Sequence, residues 1–272
     1  MHNPLPVAVF GISGRMGRAL IEAIEESGDT VLAGACASAQ SPWRGRSVQE
    51  LGARSRVLVA AGPEGALEGA SVAIDFSLPE ATLGNVRACV VRGLPMVIGT
   101  TGHASDTLAA IEQASKTVPI VMAPNMSLGV NLLLKLVELT ARLLDEAYDI
   151  EVFEAHHRNK KDAPSGTALA LGRAAARGRG ASLEELAEHD RHGSHVPRRK
   201  GAIGFSVFRG GDVVGDHTVT FAGIGERIEL THRASDRLAF ARGAIRAAHW
   251  LVGQRPGLYS MQDVLGLGTL AW

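Results

Sequence analysis

The stretch Val7-Ala8-Val9-Phe10-Gly11-Ile12-Ser13-Gly14-Arg15-Met16-Gly17-Arg18 sets an apolar run directly against a G-x-x-G-x-x-G turn. Four consecutive apolar residues are too continuous for a strand with one wet face, and they read as a strand buried on both sides. The glycines let the chain reverse tightly and bring its backbone close to a ligand. The helix that follows, expected over Met16–Glu26, presents unpaired N–H groups and the positive end of its dipole at that turn. A pyrophosphate is the anion such a strand, turn and helix would hold. Gly11, Ile12, Ser13, Gly14, Arg15 and Met16 are therefore candidate cofactor contacts, Arg15 through its side chain. An unliganded turn would carry the same string, but its place at the head of a strand and helix series favours the cofactor.

Outward from there the pattern repeats. Apolar runs at Val31–Ala35, Val57–Ala60, Val72–Phe76, Met96–Gly99 and Ile120–Ala123 alternate with helical periodicity at Ala81–Arg92 and Ser105–Lys116. This alternation predicts an α/β fold, a Rossmann-like doubly wound parallel sheet. After Asn125 the text changes to a long amphipathic helix over Leu128–Glu146, with Ser127 as its N-cap, and a strand over Asp149–Ala155. Three further strands, Ala202–Phe208, His217–Phe221 and Glu226–His232, are separated by Gly210-Gly211-Asp212 and Gly223-Ile224-Gly225. They read as a meander in an open mixed sheet, the core of a second α+β domain. Helical periodicity returns over Asp236–Val252 and packs most economically on the first domain. The expected division is 1–126 plus 236–272 for dinucleotide binding and 127–235 for the second domain.

Composition narrows the function. Lys plus Arg and Asp plus Glu both number 28, so no net charge draws the chain to nucleic acid or to anionic lipid. No stretch approaches the roughly 20 uncharged apolar residues of a membrane span. Met1 to Pro6 carry no cationic leader region, and a cytoplasmic location is expected. Cys36 and Cys89 are too few for a disulfide framework or a thiolate metal cage.

Strand ends mark the rest of the cofactor pocket. An acidic ribose ligand is expected about 20 residues after the glycine turn, yet no carboxylate stands between Asp29 and Glu50. Ala37-Ser38 end the second strand there, with Arg44 and Arg46 downstream. Such a carboxylate would repel a 2′-phosphate, so its absence beside two arginines leans toward NADPH and leaves NADH open. Asp75-Phe76-Ser77, Gly99-Thr100-Thr101-Gly102 and Ala123-Pro124-Asn125-Met126 fall on the same sheet edge and are candidates for the nicotinamide side.

The densest chemistry runs from Glu151 to Ala168 and holds Glu154, His156, His157, Lys160, Asp162, Pro164, Ser165, Gly166 and Thr167. A strand enters a polar loop and then a helix N-terminus, where the Ser165 and Thr167 hydroxyls and the N–H groups near Gly166 can bind a carboxylate. His156 and His157 point to opposite faces, and Lys160 supplies a fixed cation or a proton. A metal is not expected, because adjacent histidines splay and no third ligand has suitable spacing. His189, His192 and His195 lie among Arg191, Arg198, Arg199 and Lys200 and read as a solvated basic loop that would attract an anionic substrate.

These residues resemble the 4-hydroxy-tetrahydrodipicolinate reductase (dihydrodipicolinate reductase) family of the diaminopimelate route to lysine. Glu151 to Ala168 agrees throughout with the signature E-V-x-E-x-H-x-x-x-K-x-D-x-P-S-G-T-A, and Gly11–Arg18, Asp75–Ser77, Gly99–Gly102, Ala123–Ser127 and Gly201–His217 support it in order. The resemblance implies a homotetramer whose second domain binds substrate and builds the tetramer. It implies reduction of a cyclic imine dicarboxylate by NADPH or NADH. His156 is then the acid/base, Lys160 the proton donor, and His157 with Gly166 and Thr167 the carboxylate grip. Ala37-Ser38 depart from the acidic residue and Arg that many members carry. Two rival activities fit the residues less well. A semialdehyde dehydrogenase would need a thiol nucleophile near a base, and both cysteines lie in apolar contexts away from His156. A dinucleotide sensor would be expected to lose His156 or Lys160, and both are present.

Overall fold

The apolar runs of the first half pair side by side in the computed structural model, which describes residues 3–193 and 195–268. In chain order the elements begin β1 (Leu5–Phe10), α1 (Arg15–Glu26), β2 (Thr30–Cys36), β3 (Val59–Ala60), α2 (Pro63–Ala66), β4 (Val72–Asp75), α3 (Pro79–Arg92), β5 (Met96–Ile98), α4 (Ser105–Ser115) and β6 (Pro119–Met122). They continue with α5 (Leu128–Leu143), β7 (Asp149–His156), α6 (Gly166–Gly178), α7 (Leu183–Leu186), β8 (Ala187–Glu188), β9 (Ile203–Arg209), β10 (Gly215–Ala222) and β11 (Arg227–Ala234). α8 (Leu238–Leu251), β12 (Gly257–Tyr259) and α9 (Met261–Val264) close the series. Among the described residues, one compact unit takes in 3–128 and 237–268 and a second takes in the stretch between them.

The first unit is built on a parallel sheet in the order β12-β6-β5-β4-β1-β2-β3. Side chains alternate between two apolar layers. Val7, Val9, Ile74 and Val97 face the layer of α1 and α8. Ala8, Phe10, Ala73 and Ile98 face the layer that includes Leu67, Cys89 and Ile111. Covering both faces is what makes these strands read as unbroken apolar runs. Strand β3 is shorter than the expected Val57–Ala60. The Val48 N–H donates to the Val57 carbonyl (2.9 Å) and the Val59 N–H to Arg46 (2.9 Å), so the chain pairs with its own preceding loop before it reaches the sheet. Among the described residues, no helix is long and apolar enough to cross a membrane.

The second unit has a mixed sheet in the order β11-β10-β7-β9-β8. This corrects the expected meander: β9 and β10 are not neighbours, because β7 lies between them, parallel to β9 and antiparallel to β10. The glycine loop crosses the end of β7 and bonds there, with Gly210 N–H donating to His156 O (3.0 Å) and Arg158 N–H to Gly211 O (3.3 Å). Val137 of α5 and Leu171 of α6 pack with Val152, Phe205 and Val219 on one face. On the other face Phe153 and Phe208 stay 42% and 48% exposed. Helix α5 stops at Leu143 rather than at the expected Glu146. Asp145 turns the chain, its carboxylate accepting from Ala147 N–H (2.8 Å), an Asx turn that competes with the helix.

Candidate functional site

In the first unit, β1 runs into Gly11, whose φ of +81° belongs to the left-handed region. A Cβ there would stand 2.4 Å from the Phe76 carbonyl oxygen. Helix α1 is capped by Gly14, with no side-chain hydrogen bond at the cap. Its first-turn N–H groups therefore face outward at the positive end of the dipole. That turn opens into a cavity of about 510 Å³ walled in part by Gly11, Ser13, Gly14, Ser38 and Ser77. The wall comes from the carboxyl ends of β1, β2 and β4, where the strand order reverses. Anion donors, bare backbone and volume together fit a dinucleotide.

Other expected cofactor contacts are placed differently. The Ile12 and Met126 side chains are packed into the core, as is Ala123, so only their backbone can meet a ligand. Their apolar surface is worth more buried than at a polar cofactor. Thr100 turns its hydroxyl inward to the buried Asp75 Oδ1 (3.2 Å), which also accepts from Ser77 N–H (2.8 Å). Asn85 Nδ2 donates to the other Asp75 oxygen (3.2 Å), so one carboxylate braces both turns. The Asn125 carboxamide oxygen accepts from Ser127 N–H (2.9 Å). Gly99, Thr101 and Pro124 follow β5 and β6 outside the cavity wall, Arg15 is exposed, and Met16 rests on the core.

The two arginines separate. Arg46 lies 4.9 Å over the Trp43 ring and pairs with Glu50. Arg44 instead donates from Nη1 to Ala39 O (2.9 Å) and from Nη2 to Ala61 O (2.8 Å). Both alanines line the cavity, which sets this guanidinium at its rim.

In the second unit, β7 delivers Glu154 and His156 two residues apart, hence to one face. Glu154 is fully buried. Its Oε1 accepts from Arg209 Nη2 (2.8 Å) and Ser165 N–H (3.0 Å). Its Oε2 accepts from Arg209 Nη1 (2.8 Å) and His156 Nδ1 (2.5 Å). Burial pushes this carboxyl up, but the donors outweigh it and hold it below the usual carboxylate range. An acceptor at Nδ1 assigns the proton there and leaves His156 Nε2 for chemistry. Burial lowers His156 despite the carboxylate, with Lys160 and Arg209 adding to the effect. Burial thus favours the neutral imidazole.

His217 meets His156 edge-on at 5.1 Å, and burial pushes it down to about 4. Its Nε2 lies 3.1 Å from Ser165 Oγ. That oxygen also accepts from Ala168 N–H (3.2 Å) as the N-cap of α6. Here the structure corrects the expectation of a free Ser165 hydroxyl: it is buried and serves the helix end. Gly166 and Thr167 open α6, Gly166 exposed and Thr167 half-buried, as is His157. Lys160 Nζ donates to Asp162 Oδ1 (2.9 Å). The loop with His189 is not an open anion trap. Arg191 and Arg198 pair with Glu151 (both 3.2 Å), and His189 stacks on Phe205.

Sequence reading gave Glu154 no role and passed over Arg209 and His217. The Glu154-x-His156 spacing on a strand was the available signal for a carboxylate and imidazole pair. Arg209 reaches them only through the β7–β9 register, in which it stands opposite His156.

Known proteins resemble this chain along nearly its whole length. Residues 5–126 match the family described as dihydrodipicolinate reductase, N-terminus, and residues 129–265 its C-terminus. The 4-hydroxy-tetrahydrodipicolinate reductase of Thiobacillus denitrificans is 53% identical over 262 residues, covering 96% of this chain and 98% of that one. The corresponding reductase of Nitrosospira multiformis is 50% identical, covering 97% and 99%. In fold, the chain is similar to the dipicolinate-bound dihydrodipicolinate reductase of Paenisporosarcina sp. TG-14, with a TM-score of 0.76, 22% identity and coverage of 96% and 98%. With both halves matched and relatives this close along nearly its whole length, the chain belongs to the dihydrodipicolinate reductase family of oxidoreductases.

Proposed function

We propose that the two units divide one reduction, the first holding the dinucleotide and the second the substrate and its proton. The activity is the family's: the chain is a 4-hydroxy-tetrahydrodipicolinate reductase of the diaminopimelate route to lysine, drawing on NADPH or NADH. When bound, the dinucleotide supplies a hydride. The observation that carries the residue roles is the His156, Glu154 and Arg209 cluster at the N-terminus of α6. A ring reduced at a carbon conjugated with its imine is left as an electron-rich enamine that must gain a proton. Lys160 and His156 manage that proton, and the Lys160 cation stabilises the charge as it develops. His157, Gly166 and Thr167 hold a ring carboxylate at the positive end of α6. In the first unit the backbone of Gly11 to Gly14 holds the phosphates, Ser38 lines the adenosine side and Ser77 the nicotinamide side. A thiol mechanism finds no support, since burial raises both Cys36 and Cys89, the latter to about 12.

For cofactor choice, NADPH is favoured by Arg44 at the cavity rim and by the missing carboxylate. Substrate made in place by the upstream synthase, with loss of reduced-nicotinamide absorbance as the readout, tests activity and preference together. Arg44→Ala is expected to lower kcat/KM about tenfold with NADPH and to spare NADH, the scale of one charge-assisted hydrogen bond. An equal loss with both would assign Arg44 to holding its loops instead.

The chain acts as a homotetramer in this reading, assembled through the sheet face that bears Phe153 and Phe208. Unpaired aromatic surface on an open sheet favours association. Sedimentation at micromolar concentration is expected to give four chains, and a monomer would remove the assignment. The cytoplasm is its compartment, in keeping with two free, buried cysteines.

A further inference from the structure

We infer that Glu154, clamped by Arg209, is a positioning residue that sets the His156 tautomer and the place of the α6 N-terminus through one carboxylate. The inference rests on the proposed roles of His156 and α6. A fully buried ion pair is a costly way to hold a fold together, and apolar side chains of similar volume commonly do as well or better. What this carboxylate does that an apolar group cannot is accept four hydrogen bonds in two directions. Oε2 takes His156 Nδ1 and Arg209 Nη1, and Oε1 takes Ser165 N–H and Arg209 Nη2. The fork from Arg209 fixes the plane of the carboxylate. Within that plane one oxygen faces the imidazole and the other faces the cap of α6.

His217 closes the circuit. It packs edge-on against the His156 ring and reaches Ser165 Oγ through Nε2, so Ser165 is tied at both its backbone and its side chain. A shift of the imidazole relative to the helix end would have to break one of these bonds, which are made to the fully buried Glu154 or to the buried Ser165. The spacing between a proton-handling nitrogen and a carboxylate grip is thus held by a residue that touches neither substrate nor cofactor.

Glu154→Gln isolates the effect. A carboxamide accepts on one side and only donates on the other, while every neighbour of Glu154 is a donor. Its NH₂ must face either Ser165 N–H or His156 Nδ1; the backbone N–H cannot surrender its proton and the imidazole can, so the carboxamide turns its NH₂ to His156 and the imidazole proton moves to Nε2. In the full-length enzyme, NMR of the imidazole nitrogens, with the His156 signals assigned by comparison with His156→Ala, is expected to show the Nδ1–H form in the parent and its loss in Glu154→Gln. We expect kcat to fall about 10- to 100-fold, the scale seen when outer partners of a functional imidazole are removed, and KM to change less. The double variant Glu154→Gln/Arg209→Met buries no unpaired cation. It is expected to regain thermal stability while kcat stays low, and it also serves if Glu154→Gln alone does not fold.

Recovery of kcat along with stability in the double variant would overturn the inference, making the pair purely structural. So would an unchanged tautomer and kcat in Glu154→Gln. A lost Nδ1–H form with unchanged kcat would leave Glu154 as the positioning residue and instead remove His156 from proton handling.

Discussion

Lys160→Ala lowers kcat by about 10²-fold or more, and His156→Ala does the same, the usual scale for a general acid–base group. Lys160 has a side chain 22% exposed and its ammonium on Asp162, which is 59% exposed. A substrate carboxylate or a ring nitrogen gaining charge competes readily with so wet a partner. Removing the ammonium takes away a cation as well as a proton, so KM rises with the fall in kcat. His156→Ala is different in kind. Glu154 keeps Arg209 and Ser165 N–H, so no buried carboxylate is stranded and the fold survives. Its loss then appears in kcat, with KM nearly constant. Steady-state kinetics with saturating NADPH checks both, and unchanged turnover in the two variants would remove the assignment.

How much of this was legible depended on distance along the chain. Val7–Phe10, Val72–Asp75 and Met96–Ile98 were readable as strands because both sheet faces are apolar, a property each segment carries by itself. The glycine turn was readable because a tight reversal before a helix is a local demand. By contrast, the order β10-β7-β9 could not be read, since nothing in Ala202–Phe221 states that Asp149–His156 will insert between two strands that follow it. The same nonlocal pairing hid the site's electrostatics. Arg209 and Glu154 are 55 residues apart and meet only because β7 and β9 run parallel in register. Where residue types were read correctly but their partners were not, roles shifted. Ser165 reads as a ligand hydroxyl and caps α6, and Arg46, which with Arg44 leans the sequence toward NADPH, is held by Trp43 and Glu50.

Gly17→Ala abolishes tight dinucleotide binding and destabilises the first unit, although helix propensity alone argues the opposite. Gly17 lies inside α1, where alanine is favoured over glycine by about 1 kcal/mol. A Cβ at this position, however, would stand 2.4 Å from the carbonyl oxygens of both Gly11 and Ile12. Both obstacles are backbone, so no rotamer relieves them, and α1 has to move off the turn that follows β1. Overpacking of a core costs typically 1–3 kcal/mol even where side chains can yield, which exceeds the propensity gain. That displacement also draws the first-turn N–H groups away from the cavity, so affinity falls by about 10²-fold, as two charge-assisted hydrogen bonds would account for. Gly84 of α3 supplies the contrast: it is exposed, and a Cβ there meets nothing within 4 Å. Gly84→Ala is therefore expected to hold or raise the melting temperature without dinucleotide, where Gly17→Ala lowers it by several degrees. Thermal unfolding and fluorescence titration with NADPH read the two effects separately. A Gly17→Ala protein as stable as its parent and binding NADPH equally well would mean that the helix can slide, and that the phosphate cradle does not depend on this approach of α1 to its own turn.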